Sequence, residues 1–199
     1  AEHDGVHTFY VGKNAKVRYI ERHYANGSGT GKKVFDPVTK ICLKENSQFI
    51  LESTQLGGVT YTDRKTYATV GKNAQLLVKE KILTDGEEKA ITDFKVKLTG
   101  KNSRADIVSR SVAKGKSLQQ FKSDMIGKNE CFGHVECDGI VLDGARIIST
   151  PKIDAVSPEA SLVHEAAVGK IAGEQLLKLM SLGLTVQEAE DAVIKGFLN

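Results

Sequence analysis

The chain has 199 residues, of which 40% are hydrophobic and 27% charged, so it can bury the core of one domain with a short helical appendix. Its 28 basic and 25 acidic residues are spread evenly, which gives no basic stripe of the kind that binds nucleic acid. The chain has three irregularly spaced cysteines, which favours reduced thiols in a cytoplasmic protein. It has no apolar run near the roughly 20 residues that a membrane span needs, which favours a protein with no membrane partner.

The first three quarters of the chain is composed of short strands separated by Gly-Lys-Asn turns. The clearest strand segments, rich in β-branched and aromatic residues, are 16–24, 40–44, 76–83 and 92–98. An asparagine recurs every 27 to 32 residues, at Asn14, Asn46, Asn73, Asn102 and Asn129. A repeat of this length is typical of a solenoid, and because the chain has no tryptophan, it favours a parallel β-helix over a propeller.

Glu21 and His23 lie in the first of these strands. Strand alternation places both on the same side as Val17 and Tyr19, which should face the interior of the β-helix, and leaves Arg18 outside. An interior carboxylate and imidazole are candidate metal ligands. The alternative for His23 is a core histidine with satisfied hydrogen bonds.

Cys137 follows an alternating pattern that turns its thiol inward with Val135 and Val141. A thiolate is a soft metal ligand, and the alternative is a small buried hydrophobic residue, which is what most free cysteines are. The Cys131-x2-His134-x2-Cys137 spacing resembles a zinc motif. Because alternation puts His134 on the face opposite the two cysteines, we predict no zinc site.

From residue 157 onward the pattern is typical of helices. Ser157 is followed by proline and glutamate, which predicts a helix from Ser157 through Met180. Thr185 and Glu188 have the spacing of a capping box and predict a second helix. The predicted organisation is therefore a β-helix core over residues 1–155 and a helical segment over residues 156–199.

His164 and Glu165 lie within the first predicted helix. A helical wheel puts His164 at the edge of the polar face and Glu165 on an apolar arc, where an ionised carboxylate needs a partner. That partner would be a metal ion, a cation such as Lys170 or Lys195, or a proton. The alternative for His164 is an ordinary half-exposed surface histidine.

Several runs in this region resemble the SufB/SufD family of iron-sulfur cluster assembly scaffolds, most closely its SufB-like, compact archaeal-type members. The runs are ECDGIVLD at 136–143, HEAAVGKIAGEQL at 164–176, EAED at 188–191 and GFL at 196–198, with weaker similarity at SRSVAKGKS (109–117) and YIER (19–22). The resemblance implies an all-β fold, a right-handed parallel β-helix with a C-terminal helical segment. Members of the family carry a further N-terminal region, so we expect that part of the family fold to be missing here.

The resemblance also implies which residues handle iron and sulfur. It assigns Cys137, His164 and Glu165 to iron or to a transient iron-sulfur cluster. The family pattern YLEGC resembles the run at Tyr19, and its cysteine is assigned to sulfur transfer through the β-helix interior. This chain has His23 at that position, so the thiol is lost, while Glu21 and His23 remain candidate metal ligands.

The family's partners are implied in the same way. They are an ABC-type ATPase of the SufC kind docked on the C-terminal helices, a second SufB/SufD-like subunit in a homodimer or heterodimer, and apo iron-sulfur acceptor proteins. The chain would be a scaffold with no catalytic residues, and ATP-driven closure would shear the dimer and expose Cys137, His164 and Glu165 to iron and sulfide. The alternatives are a SufD-like structural partner without its own cluster, and a β-helix binding module or transferase.

Overall fold

A computed structural model describes residues 2–23 and 31–199 and shows a parallel β-helix of about six turns followed by two helices. About 60% of the residues lie in parallel strands, as the sequence pattern predicts. Each turn of the chain contributes strands to both of two parallel sheets. The two sheets enclose the apolar core between them.

The strands follow one another in the order β1 (Glu2–His3), β2 (Val6–Val11), β3 (Lys16–His23), β4 (Val34–Phe35), β5 (Val38–Leu43), β6 (Gln48–Leu56), β7 (Tyr61–Val70), β8 (Gln75–Thr84), β9 (Lys89–Leu98), β10 (Ser103–Ala113), β11 (Leu118–Gly127), β12 (Cys131–Val141), β13 (Arg146–Ala155) and β14 (Ala160–Gly169). The first sheet contains β1, β2, β4, β5, β7, β9, β11 and β13, and the second contains β3, β6, β8, β10, β12 and β14. The predicted strands coincide with β3, β5, β8 and β9, and Tyr24 lies outside the described residues.

The recurrent asparagines occupy equivalent turns in successive coils. Asn14, Asn46, Asn73 and Asn102 all have φ between 53° and 61°, a left-handed conformation that asparagine tolerates better than most residues. The Nδ2 of each of the last three donates to the Oδ1 of the preceding one at 3.0 to 3.2 Å. Asn129 is not part of this ladder: it does not share the left-handed φ of the other four, and its Oδ1 accepts from the backbone N–H of Glu130. Turn geometry and side-chain stacking therefore explain the sequence repeat.

The core is formed by inward-facing side chains that alternate along each strand and stack in register from coil to coil. Leu51, Val78, Ile107 and Val135 form one such column on four neighbouring strands of the second sheet, and all are at most 1% exposed. Fully burying one side chain of this size stabilises the fold by about 1.5–3 kcal/mol. The apolar columns therefore hold successive coils in register.

The predicted helix from Ser157 through Met180 is wrong in its first half. Residues 160–169 form β14, which pairs in parallel with β12 and completes the last turn of the β-helix. Helix α1 begins only at Gly173 and ends at Ser181, and α2 spans Val186–Leu198. The sequence pattern predicts that the β-helix ends at residue 155, but the β-helix continues through β14 to Gly169.

The predicted capping box of α2 is present. The Thr185 hydroxyl accepts from the backbone N–H of Glu188, and the Glu188 carboxylate accepts from the backbone N–H of Thr185. The buried Ile194 and Leu198 of α2 pack with Val112 of β10, on the outside of the second sheet. Within the described part of the chain, neither helix has the length and apolar character needed to cross a membrane.

Candidate functional site

One line of polar side chains runs through the interior of the second sheet. In register on neighbouring strands lie Glu21 of β3, Ser53 of β6, Glu80 of β8, Ser109 of β10 and Cys137 of β12. All five are buried, with at most 6% exposure. Because neighbouring strands are about 4.8 Å apart, the line is about 19 Å long. It leads from the first coil of the β-helix to the fifth.

Cys137 is the C-terminal member of this line. Its side chain faces inward as predicted, and the residue is 1% exposed. Burial raises the pKa of the Cys137 thiol to about 11, and the nearby Ser149 of the opposite sheet opposes this shift only in part. The thiol is therefore protonated at neutral pH. Because the thiolate is the form that binds metals, ligation by Cys137 requires either displacement of this proton by a metal or a more polar environment.

His164 faces the same interior one strand further along. In the β12–β14 pairing, Val135 lies opposite His164 and Cys137 lies opposite Ala166. Cys137 and His164 therefore both face inward, and His164 lies one inward position before the residue that is opposite Cys137. The His164 Nε2 atom is buried and has no hydrogen-bond partner among the described residues. Burial, and to a lesser extent the charge of His134, lowers the pKa of His164. A neutral imidazole with an unpartnered nitrogen is the form that ligates metals.

Glu165 is not on an apolar arc, and that prediction is wrong. Because β14 is a strand, Glu165 faces the opposite side from His164, and its side chain is 67% exposed. Its recorded ion-pair neighbour is His134, whose Nε2 lies 4.0 Å from Glu165 Oε2, rather than Lys170 or Lys195. In this arrangement, His164 and Glu165 cannot bind the same ion. Because the Glu165 carboxylate is exposed to solvent, it needs no buried counter-ion.

Glu21 faces inward as predicted, but a buried arginine already neutralises it. Arg64 Nη1 donates to Glu21 Oε2, and the Tyr19 hydroxyl donates to Oε1 at 2.8 Å. Burial alone would raise the pKa of Glu21, but His23, Arg64 and Tyr19 together hold it well below its usual range. Since His23 Nε2 lies 3.9 Å from the carboxylate, too far for a hydrogen bond, we attribute most of the lowering to Arg64. Glu21 is therefore an ionised partner of Arg64.

His23 lies beside this pair in the first coil. The centroid of its ring is 3.9 Å from that of Phe35, and its Nε2 is buried with no hydrogen-bond partner in the described part of the chain. Its hydrogen bonds are therefore not all satisfied within the core. The structure places Glu21 and His23 together at one end of the polar line, and at the other end it places Cys137 and His164 on neighbouring strands, one inward position apart.

Three members of the polar line, Ser53, Glu80 and Ser109, were not singled out by the sequence analysis. Glu80 is fully buried and accepts hydrogen bonds from Ser109 Oγ at 2.8 Å and Thr92 Oγ1 at 3.2 Å. Burial raises the pKa of Glu80, although the nearby Arg64 opposes the shift. The alternation along residues 76–83 already places Glu80 inward, so the rule that identified Glu21 identifies Glu80 as well.

The donors do not form a complete metal site. Across residues 2–23 and 31–199, no three His, Cys, Asp or Glu side chains lie close enough together to hold a metal ion. Cys137 and His164 supply one sulfur and one nitrogen donor, types that iron accepts. Further ligands would have to come from a rearrangement, from sulfide or from a second chain.

The fold and site define a β-helix protein with a buried thiol and an inward-facing, partly buried imidazole near the last coil. A family model described as "SUF system FeS cluster assembly, SufBD core domain" matches residues 1–197, and the chain belongs to this SufBD family of iron-sulfur cluster assembly proteins. This confirms the resemblance seen in the sequence motifs.

Three relatives indicate how far the similarity extends. The iron-sulfur cluster assembly SufBD family protein of Archaeoglobus fulgidus is 34% identical over 198 residues, 98% of this chain and 52% of the relative. One from Methanothermobacter thermautotrophicus (strain Winter) is 35% identical over 208 aligned positions, 100% of this chain and 48% of the relative. One from Galdieria sulphuraria is 24% identical over 192 aligned positions, which cover 92% of this chain and 87% of the relative. The chain thus spans about half the length of the two archaeal relatives.

Proposed function

We propose that this chain is a scaffold on which an iron-sulfur cluster is assembled, and that it is not itself an enzyme. The observation that carries the proposal is the buried polar line that ends at Cys137, with His164 and its unpartnered Nε2 one inward position away on the neighbouring strand. Burying polar groups costs free energy, so a continuous series of them in a core favours a function over packing alone. Iron and sulfide are the substrates of this site.

The first coil differs from the last in its chemistry. It presents His23 and the Glu21–Arg64 ion pair but no thiol, so a sulfur atom cannot be carried there as a cysteine persulfide. In the proposed function, any sulfur that reaches Cys137 along the interior travels as sulfide. The polar line offers hydroxyl and carboxyl groups along that route, including Glu80 and Ser109.

The C-terminal helices are the proposed docking surface for an ABC-type ATPase of the SufC kind. Leu177 and Leu182 are 65% and 74% exposed, and Val186 at the start of α2 is 51% exposed. Exposed apolar side chains on neighbouring helices suit a protein partner. We expect deletion of residues 184–199 to abolish co-purification with such an ATPase while the circular dichroism of the β-helix is retained. Unchanged co-purification would rule out this docking surface.

The last coil is the proposed contact with a second SufB/SufD-like subunit, in a homodimer or heterodimer. Ile153 of β13 and Val163 and Val168 of β14 are each about 40% exposed or more, which leaves apolar side chains at the end of the solenoid uncovered. ATP-driven closure of the ATPase subunits would shear this contact and open the site at Cys137 to iron and sulfide, and apo acceptor proteins would receive the completed cluster.

Anaerobic reconstitution with ferrous iron and sulfide tests the scaffold role. Because only Cys137 lies at the end of the polar line, Cys137→Ser should abolish the visible absorption of a thiolate-bound cluster. Cys131→Ser is the matched control, because Cys131 is also buried and inward on β12, and Cys42→Ser controls for the outward thiol. Retention of the full cluster in Cys137→Ser, or equal loss in all three variants, would contradict the assignment.

The second candidate function is that of a SufD-like structural partner without its own cluster. The opposed directions of His164 and Glu165 favour it, because one chain then supplies an incomplete ligand set. This function predicts no cluster on the isolated chain but cluster formation when a related subunit with further thiol ligands is added. The same reconstitution, carried out with and without that subunit, distinguishes the two.

A further inference from the structure

A groove on the outer face of the first sheet lies on the far side of the sheet wall from the interior polar line. Its floor is two adjacent columns of outward side chains on β2, β5, β7 and β9, and its volume is about 370 Å³. One column is Thr8, Lys40, Tyr67 and Lys95, and the other is Tyr10, Cys42, Thr69 and Lys97. Sites for small organic ligands have volumes of roughly 300–1,000 Å³, so the groove has the size of such a site.

The groove carries uncompensated positive charge. No aspartate or glutamate lines it, and within the described ranges neither Lys40 nor Lys97 has a carboxylate at ion-pair distance. The third lysine, Lys95, is already engaged: its Nζ lies 3.8 Å from Asp93 Oδ2 and 5.9 Å from the centre of the Tyr67 ring. Two unpaired ammonium groups on one concave surface raise the local concentration of anions.

The floor of the same groove carries two aromatic side chains. Tyr10 is 80% exposed and Tyr67 is 37% exposed, although aromatic rings of this size usually bury most of their area. Tyr67 lies between Lys40 and Lys95 in the register, so a flat ring surface and two cations are neighbours on successive strands. A ligand that matches both features has a planar apolar body and an anionic group.

We propose that this groove binds a small aromatic anion, a planar ring system that carries a carboxylate, sulfonate or phosphate group. The ring would contact Tyr10 and Tyr67, and the anionic group would lie between Lys40 and Lys97. The site is separate from the one at Cys137, because these side chains point outward from the first sheet. Cys42 lies on the floor of the groove, and its thiol serves as a reporter of occupancy.

The test uses naphthalene-2-sulfonate as the probe and measures the rate at which iodoacetamide alkylates Cys42, by mass spectrometry of the whole chain. Cys42 is half-buried and outward, whereas Cys131 and Cys137 are buried, and loss of the rapid reaction in Cys42→Ser confirms the labelled residue. If the probe occupies the groove, the rate falls with occupancy, by roughly tenfold at ten times its dissociation constant.

A charge-removing pair of substitutions shows where the probe binds. Lys40→Gln/Lys97→Gln should abolish protection, whereas Lys122→Gln/Lys128→Gln, which removes the same charge from two lysines outside the groove, should retain it. Neutral naphthalene-2-methanol and inorganic sulfate should each protect weakly, because each matches only one feature of the groove.

Three results would overturn the proposal. Equal protection of both double variants would place the probe elsewhere, and equal protection by the neutral alcohol would reduce the groove to an apolar patch. Protection by a polyglutamate peptide but not by naphthalene-2-sulfonate would instead identify a surface for acidic protein segments.

Discussion

The buried ion pair between Arg64 and Glu21 predicts an unusually large effect of one substitution on stability. Arg64 is 2% exposed, and its guanidinium pairs with Glu21 and lies 5.2 Å from the centre of the Phe35 ring. Arg64→Met keeps most of the side-chain volume but leaves Glu21 buried without its cation. Removing one partner of a buried ion pair costs about 3–5 kcal/mol, because the remaining charge stays desolvated.

Urea denaturation monitored by circular dichroism measures this loss. In thermal unfolding of a chain of this size, a loss of about 3–5 kcal/mol corresponds to a decrease in Tm of roughly 6–20 °C. The matched control is Arg18→Met, which removes the bidentate pair with Glu52 on the outer face of the second sheet, the sheet that carries Glu21; there the arginine side chain is 60% exposed. An exposed pair contributes about 0–1 kcal/mol. Similar costs for Arg64→Met and Arg18→Met would show that burial does not make the Arg64–Glu21 pair more stabilising than an exposed pair.

The free energy of unfolding should also depend on pH differently in the parent chain and in Arg64→Met. In the parent chain, the pKa of Glu21 is lower in the folded state than in the unfolded state, so its stabilisation is present above the unfolded pKa of about 4.3 and is lost as pH falls through the folded pKa. Glu21 therefore adds no pH dependence between pH 7 and 5. In Arg64→Met, burial raises the folded pKa of Glu21, so the free energy of unfolding should increase as pH falls over that interval. Arg64→Met/Glu21→Gln should be more stable than Arg64→Met at pH 7.

Two further substitutions test the turn ladder and the corrected position of Glu165. Asn73→Ala removes two ladder hydrogen bonds and puts alanine, which disfavours a left-handed backbone, at φ 53°, so it should lower the free energy of unfolding by about 1–3 kcal/mol in urea denaturation. Asn73→Gly should cost less, because glycine accepts positive φ. Equal costs for the two variants would show that the backbone conformation at this position is not strained. Glu165→Gln should change the free energy of unfolding by no more than about 0.5 kcal/mol, since the side chain is 67% exposed, and a loss of several kcal/mol would restore a structural ion pair for this residue.

The sequence was most informative where the period of two is clean. Alternation alone places Glu21, Glu80 and Cys137 in the interior, and the spacing of the asparagine turns gives the length of a coil. These properties are local, because the direction of a side chain depends only on the strand that carries it. The pairing of Glu21 with Arg64 was not predictable in this way, since the two residues are 43 positions apart and meet only when the two sheets face each other.

The segment at residues 160–169 shows where local reasoning failed. It is rich in alanine and contains a glutamate, which favour helix, and a serine-proline pair that resembles a helix start precedes it. The same segment also alternates Leu162, His164, Ala166 and Val168, which suits a strand. The open edge of β12 decides between the two, because β14 pairs along its whole length with that edge. Tertiary context of this kind overrides intrinsic propensity.

In the proposed function, the position of β14 would couple access to Cys137 with the formation of a ligand site there. As the last strand of the second sheet, β14 has a neighbour on one side only, and most of its residues are half-exposed or exposed, so it should open at a lower free-energy cost than the central strands. Its Ala166 covers Cys137 in register, and its His164 is the nearest imidazole in the same interior. In the proposed mechanism, movement of β14 therefore uncovers the thiol and repositions the histidine in one step. Since only three residues separate the end of β14 at Gly169 from the start of α1 at Gly173, a force applied to the helices by a docked ATPase would reach this strand directly.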